Sequence, residues 1–302
     1  MSNGEKNDQR SLRLMNWVLM ALIYLSWLLV TWFHQWIPLW LLLPIGAILI
    51  AWHGSFQHEA IHGHFADRPW LNDLAASPPL SLWLPFPIYR ETHQAHHSFK
   101  ILTDPWRDPE SFYIDRAGWA RLPMSIRRVL VWHNTLLGRL LLGPPLIVGQ
   151  FLISEGRSLK AGDRRHLAIW FWHILALIPI LIWLVVIVDM SVWVYLGCFV
   201  LPGLSLTLLR SFAEHKAAGS PLERTAIVEA GSLLSLLFLN NNLHFAHHCR
   251  PDLPWQALPA FYRRHRIEML KQNGGLVYKD GYREIARRFT IQPVDDPEHP
   301  FC

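Results

Sequence analysis

Three dense histidine clusters carry the chemistry of this chain: His58-Glu-Ala-Ile-His62-Gly-His64, His93-Gln-Ala-His96-His97 and His244-Phe-Ala-His247-His248. The second and third share one pattern, HxxHH. With 17 histidines among 302 residues, that pattern arises by chance about 0.05 times in such a chain, so two copies mark a motif. On a helix, positions i, i+3 and i+4 share a face, and each cluster therefore aims several imidazoles at one point. That is chelating geometry. A structural zinc site takes four ligands and a catalytic one about three. The candidates His58, His62, His93, His96, His97, His244, His247 and His248 exceed either requirement and imply two metals. Neutral imidazole suits Zn, Cu, Fe and Ni alike, so ligand type alone does not select the element. A metal-sequestering His tract would be contiguous and polar, whereas these clusters lie far apart between apolar segments.

The elements that position the clusters are built for a bilayer. Half of the residues are hydrophobic and only 17% are charged, against about 25% in soluble domains. Four uncharged or nearly uncharged stretches, residues 14–33, 36–52, 167–188 and 190–209, approach the 17 to 25 residues that cross a hydrocarbon core. The expected fold is an all-α integral membrane protein. Its four transmembrane helices form two hairpins, with a cytosolic helical cap holding a His-ligated two-metal site. Residues 1–13 read as a polar cytosolic N-terminus and 14–302 as a single membrane domain. The first span lacks a small-residue cleavage site and reads as retained. Residues 65–90, with Pro78-Pro79, Pro85 and Pro87, read as a broken interfacial segment. Residues 129–153 are apolar but interrupted by His133, Arg139 and Pro144-Pro145, which predicts an amphipathic helix lying on the membrane.

Charge sets the orientation. Lys and Arg number 3 in residues 1–13, 13 in 53–166 and 12 in 210–302, with none in the turns at 34–35 and Asp189. Every basic residue thus falls on one side of the two hairpins, the cytosolic side by the positive-inside rule. All three His clusters fall there too. The three cysteines, Cys198, Cys249 and Cys302, show no paired spacing and indicate no disulfide framework. Cys249 adjoins His248 but reads as a passive thiol.

The order and content of the clusters resemble the membrane fatty acid desaturase family over roughly residues 50–260. HEAIHGH, HQAHH and NNNLHFAHH followed by Pro251 and Pro254-Trp255 stand where that family has its three His boxes. The likeness is to a bacterial acyl-lipid desaturase-like branch, through RSFAEH and LHFAHH-x-x-P-x-x-PW. The resemblance implies two iron ions with O2 as co-substrate. Its ligands would be His58 and His62 from box one, His93, His96 and His97 from box two, His244, His247 and His248 from box three, and His215 after the second hairpin. An Asn near the metal is either Asn240 or Asn241. Box one often ends before His64, which stays outside the set. His53, His133, His166 and His173 read as structural or interfacial. Glu59, Glu214, Asp104, Asp108 and Asp252 are candidates to receive the second ring N–H of the ligands.

The implied reaction is desaturation of a fatty acyl or lipid-like substrate in a bacterial inner membrane, with both termini and the site cytosolic. There is no Cys-x-x-Cys-His and no His-Pro-Gly-Gly, so electrons would come from an external donor such as a ferredoxin. Membrane lipid is a partner and nucleic acid is not. The same boxes serve hydroxylases, oxidative decarboxylases and desaturases of small amphipathic metabolites. A non-enzymatic metal-binding membrane protein is the remaining alternative. A transporter needs ionisable residues along its path. Residues 14–33 and 36–52 contain none, and only His173 interrupts 167–188.

Overall fold

Long apolar runs free of charge make the long helices. The computed structural model describes residues 3–302, with side chains from Ser11 onward. Helix α1 (Asn3–Trp32) takes in most of the polar lead-in, which is helical from Asn3, while Met1 and Ser2 lie outside the described residues. Pro38 precedes α2 (Leu39–Ile61), which runs nine residues past Trp52 and so carries His58 on its last turn. The Pro-rich stretch is indeed broken, into α3 (Pro69–Ala76), an irregular loop and the start of α4 (Phe86–His96). Short helices α5 (Arg116–Arg121) and α6 (Met124–His133) precede α7 (Leu136–Lys160). Helix α8 (Arg164–Leu181) extends through a more loosely wound turn to Ile187. A second loose turn, Leu196–Val200, links α9 (Val192–Tyr195) to α10 (Leu201–Ser211). Then come α11 (Ser232–Leu237), α12 (His244–Cys249), α13 (Leu258–Gln272) and α14 (Tyr282–Phe289). The all-α expectation misses one small feature. β1 (Ile227–Val228) and β2 (Val277–Tyr278) pair in parallel, with Ile227 opposite Val277.

Among the described residues, five helices are long and apolar enough to cross a membrane: Ser11–Trp32, Leu39–Ile61, Leu136–Lys160, Arg164–Ile187 and Val192–Ser211. Only 11% of the most apolar part of Arg164–Ile187 is buried inside the protein. Trp172 and Val186 are among the large apolar side chains it exposes, a surface suited to lipid rather than water. The fifth such helix departs from the reading of 129–153 as one surface helix. The chain breaks at Asn134–Thr135, and α7 then continues unbroken through Pro144-Pro145 for 25 residues. Arg139, which suggested a solvated face, is buried instead. Its Nε donates to His133 O at 3.2 Å, its Nη2 donates to Asn134 Oδ1 at 3.0 Å, and the guanidinium lies 3.8 Å from the Phe112 ring centre.

The chain divides into two compact units, residues 1–90 with 144–206 and residues 91–143 with 207–302. In the first, Trp27, Leu42, Leu49, Ile50, Tyr195 and Phe199 share a core. Two glycines set the closeness of that packing. A Cβ on Gly46 would stand 2.5 Å from Cys198 O, and one on Gly203 would stand 2.5 Å from Ile50 Cβ. Trp27 Nε1 donates to Tyr195 Oη at 2.9 Å, and that hydroxyl donates to Leu80 O at 2.6 Å, so these polar atoms are satisfied within the apolar core. In the second unit, two groups of buried side chains stand out. One joins Phe212, Phe238, Tyr282, Ile285 and Phe289, and the other joins Phe245, Ala246, Leu258, Tyr262 and Met269.

Candidate metal centre

Box two closes α4, with His93 and His96 on its last turns and His97 one residue beyond, its N–H donating to His93 O at 3.2 Å. Box three is α12 itself, a six-residue helix whose histidines are all buried. His215 follows the end of α10, where its ring meets box three. Within the second unit these imidazoles form two sets. The ligand nitrogens of His96, His215, His244 and His248 all lie within 4.8 Å of one another, and so do those of His93, His97 and His247. In the first unit, His58 and His62 stand one turn apart at the end of α2, ring centres 4.9 Å apart.

The protons show what the sets are built to hold. His96 Nδ1 faces Asp108 Oδ1 at 2.8 Å, His93 Nδ1 faces Glu110 Oε1 at 2.9 Å, and His215 Nδ1 faces Arg224 O at 3.2 Å. His244 Nδ1 faces Asn241 Oδ1 at 3.1 Å. Each partner atom is an acceptor, so each Nδ1 carries the hydrogen and each Nε2 of a neutral ring is left with a lone pair. The Nε2 atoms of the sets face one another. Nε2 of His215 is 3.0 Å from both His96 and His244, His248 is 3.1 Å from His244, and His97 is 2.9 Å from His93 and 3.2 Å from His247. Unprotonated ring nitrogens at this distance repel, and a cation between them, either a proton as on His96 or a metal ion, removes the repulsion. Two nitrogens about 2.1 Å from one metal are about 3.0 Å apart at a right angle and about 3.4 Å apart at the tetrahedral angle. The spacing in the His215 set is of this order, so the donor set fits a transition-metal ion of the kind that imidazole ligates.

Carboxylates supply the opposing charge. Burial opposes protonation of His96, yet Glu110, Asp108 and Glu214 outweigh it and push His96 up to about 9. Burial, reinforced by neighbouring imidazoles, holds His215, His244 and His248 well below the usual imidazole range. Burial also pushes Glu214 up to about 7 against the pull of Arg210. Near neutral pH these three rings are accordingly neutral ligands, while His96 carries a proton that a metal must displace. Metal uptake at pH 7 is expected to release about one proton per chain from this set. The check is proton release on metal addition in weakly buffered solution, and no release would contradict the assignment of His96.

The structure sorts the other candidates. Asp108 meets a box histidine directly, and Glu214 Oε1 stands 3.5 Å from His244 Nδ1. Glu59 Oε2 receives His64 Nδ1–H at 2.7 Å and its other oxygen lies 3.8 Å from His58, so it chiefly anchors His64. Asp104 accepts the backbone N–H groups of Trp106 and Arg107, and Asp252 pairs with Arg250. Both serve local turns, because aspartate next to a turn meets backbone donors first. The asparagine triplet divides its work. Asn240, in the left-handed region at φ 58, donates to Trp255 O, Asn241 orients His244, and Asn242 donates to Val228 O. His53 reaches Tyr24, His166 reaches Glu155, His173 reaches Leu82 O, and His133 packs by Phe112. Glu110 is a ligand-orienting residue that reading the sequence passes over, as is Arg224 through its backbone oxygen. The only signal for Glu110 is two ring nitrogens of box two needing acceptors and a short acidic stretch downstream. Glu110→Gln and Asp108→Asn are each expected to weaken metal binding about 10- to 100-fold while leaving the helical content unchanged. Metal titration with circular dichroism checks both parts.

The model of the fatty acid desaturase family matches residues 34–279. No curated protein matches the chain.

Proposed function

This chain belongs to the fatty acid desaturase family, and from that premise we propose that it is an O2-dependent di-iron membrane oxidase that introduces a C=C bond into a fatty acyl or lipid-bound chain. The observation that carries the proposal is the set of buried imidazoles whose Nδ1 atoms are tied to acceptors and whose Nε2 atoms converge. His58, His62, His93, His96, His97, His215, His244, His247 and His248 would hold two irons. Bound iron supplies the one-electron chemistry with O2 that no protein side chain offers to an unactivated C–H bond. The chain's own groups do the rest. Asp108, Glu110 and Asn241 keep the rings in one tautomer and orientation, and burial excludes water. Glu214 adds a carboxyl beside His244. Reduction of O2 to two waters consumes four electrons, two from the C–H pair and two from a donor. We assign the donor to a separate carrier such as a ferredoxin.

The proposal includes a topology. The helices Ser11–Trp32, Leu39–Ile61, Arg164–Ile187 and Val192–Ser211 would span a bacterial inner membrane as two hairpins, with both termini and the His boxes cytosolic. Helix α7 would keep both ends on the cytosolic side. Cysteine introduced at Gln35 is then expected to react with an impermeant external reagent, and cysteine introduced at Lys160 is not. External labelling at Lys160 would make α7 a fifth crossing.

The reaction is tested with deuterated saturated fatty acids fed to cells expressing the chain. The expected product is unsaturated and has lost two deuteriums from neighbouring carbons. A saturated product carrying one oxygen from O2 would make the enzyme a hydroxylase, and a shortened terminal alkene would make it a decarboxylase.

A further inference from the structure

We propose that the outward face of α13 and α14 is the docking surface for an acidic one-electron carrier protein; this rests on the reading of the chain as an oxidase that needs an external donor. Residues 258–290 contain eight Lys and Arg against three Asp and Glu, a net +5 that equals the formal charge of the whole chain. Elsewhere the two signs balance. Topology does not call for this excess. Basic residues orient a span from within about 15–20 residues of its end, and α13 begins 47 residues after Ser211 closes the last candidate span.

Arg263, Arg264, Lys271, Lys279 and Arg283 are all exposed. Among the described residues, Arg263, Arg264, Lys271 and Arg283 are in no ion pair. The two helices meet at Glu229. Its Oε1 accepts from both Tyr262 Oη and Arg266 Nε at 2.6 Å, and a Cβ on Gly281, just before α14, would stand 2.9 Å from its backbone oxygen. Both helices thus pack against Glu229, and their exposed basic residues lie on either side of it. The inner face of α13 lies directly behind box three, because Leu258, Tyr262 and Met269 share a core with Phe245 and Ala246 of α12. Packed helix axes are about 8–10 Å apart, so a carrier seated on α13 is separated from the box-three histidines by little more than one helix.

The composition of the face favours protein over lipid. A helix lying on a membrane presents a continuous apolar stripe. The exposed side of α13 offers one large apolar residue, Ile267 at 86% exposure, among Arg263, Arg264, Glu268, Lys271 and Gln272. On α14, Tyr282, Ile285 and Phe289 are all buried. A single apolar side chain within a charged rim is the composition of a protein contact. The stoichiometry also asks for a transient complex. Each docking would oxidise the carrier by one electron, which a metal held by the box histidines would take up. Two dockings, with two protons from solvent and two hydrogens from the substrate, balance O2 to two waters. A partner that must leave between electrons suits a small interface guided by charge.

The test uses the full-length protein in nanodiscs of phosphatidylcholine and an acidic plant-type [2Fe–2S] ferredoxin as probe. Binding of the oxidised ferredoxin involves no turnover, so it can be measured even if the desaturation reading fails. Arg263→Glu/Arg264→Glu/Arg283→Glu is expected to weaken binding at least about tenfold, and wild-type binding is expected to fall with added salt. Arg107→Glu/Arg121→Glu/Arg128→Glu makes the same charge change elsewhere and is expected to bind nearly as wild type. The milder Arg263→Gln/Arg264→Gln/Arg283→Gln, with circular dichroism, separates lost docking from lost folding. Unchanged binding in the α13–α14 variants, or an equal loss in the control, would overturn the proposal. So would a variant that keeps ferredoxin binding but no longer gains stability from phosphatidylserine in the disc, which would assign the face to lipid head groups.

Discussion

His244→Ala is expected to cost the protein bound metal and at least about a hundredfold in oxidoreductase activity, since even an orienting partner of a metal ligand is worth 10- to 100-fold. His244 is a hub of its set. Its Nε2 is 3.0 Å from that of His215 and 3.1 Å from that of His248, while its Nδ1 meets Asn241 and lies 3.5 Å from Glu214. The substitution removes one donor from the metal and also leaves two buried polar groups without their ring partner. His265→Ala is the control, because His265 is 40% exposed and lies beside Glu268 outside both sets. Elemental analysis and product formation should fall together in the first variant and stay unchanged in the second. A His244→Ala protein that retains its metal and turns over normally would remove this set from the catalytic centre.

The second large effect lies in the packing of the first unit. Gly46→Val and Gly203→Val are each expected to lower the melting temperature by roughly 5–10 °C, following a packing penalty of about 1–3 kcal/mol or more. The obstacles are unyielding ones. The added carbon would meet Cys198 O at 2.5 Å in one case, and Ile50 Cβ at 2.5 Å with Ala47 O at 3.3 Å in the other. Small residues let α2 and the Leu196–Ser211 stretch approach closely, which is how helices pair where no hydrophobic force separates lipid from protein. Gly149→Val tests the argument from the other side, since nothing stands within 4 Å of a Cβ there. Thermal unfolding in detergent should separate the first two variants from the third. Equal melting of all three would show that this contact can relax.

What could be read along the chain was local. The spacing of HxxHH puts imidazoles on one helix face whatever surrounds it, and an uncharged run of about twenty residues makes a long helix exposed to lipid by composition alone. Both are periodic or compositional properties carried by neighbours in sequence. Sequence likewise pointed to the family and to His215, although that residue stands outside every box. The tertiary structure decided the matters that depend on distant partners. It gave Asp108 and Glu110, rather than Asp104 and Asp252, to the ring nitrogens of box two. It turned Asn241 toward His244 and its two neighbours elsewhere. It also buried Arg139 under Phe112, so that a charge marking an apparent polar face could lie inside a long apolar helix. The acceptors of His96 and His93, the ring against Arg139 and the backbone oxygen beside Gly46 come from residues 12 to over 100 positions away. No local period records such a pairing, because its energy exists only once the chain has closed around it.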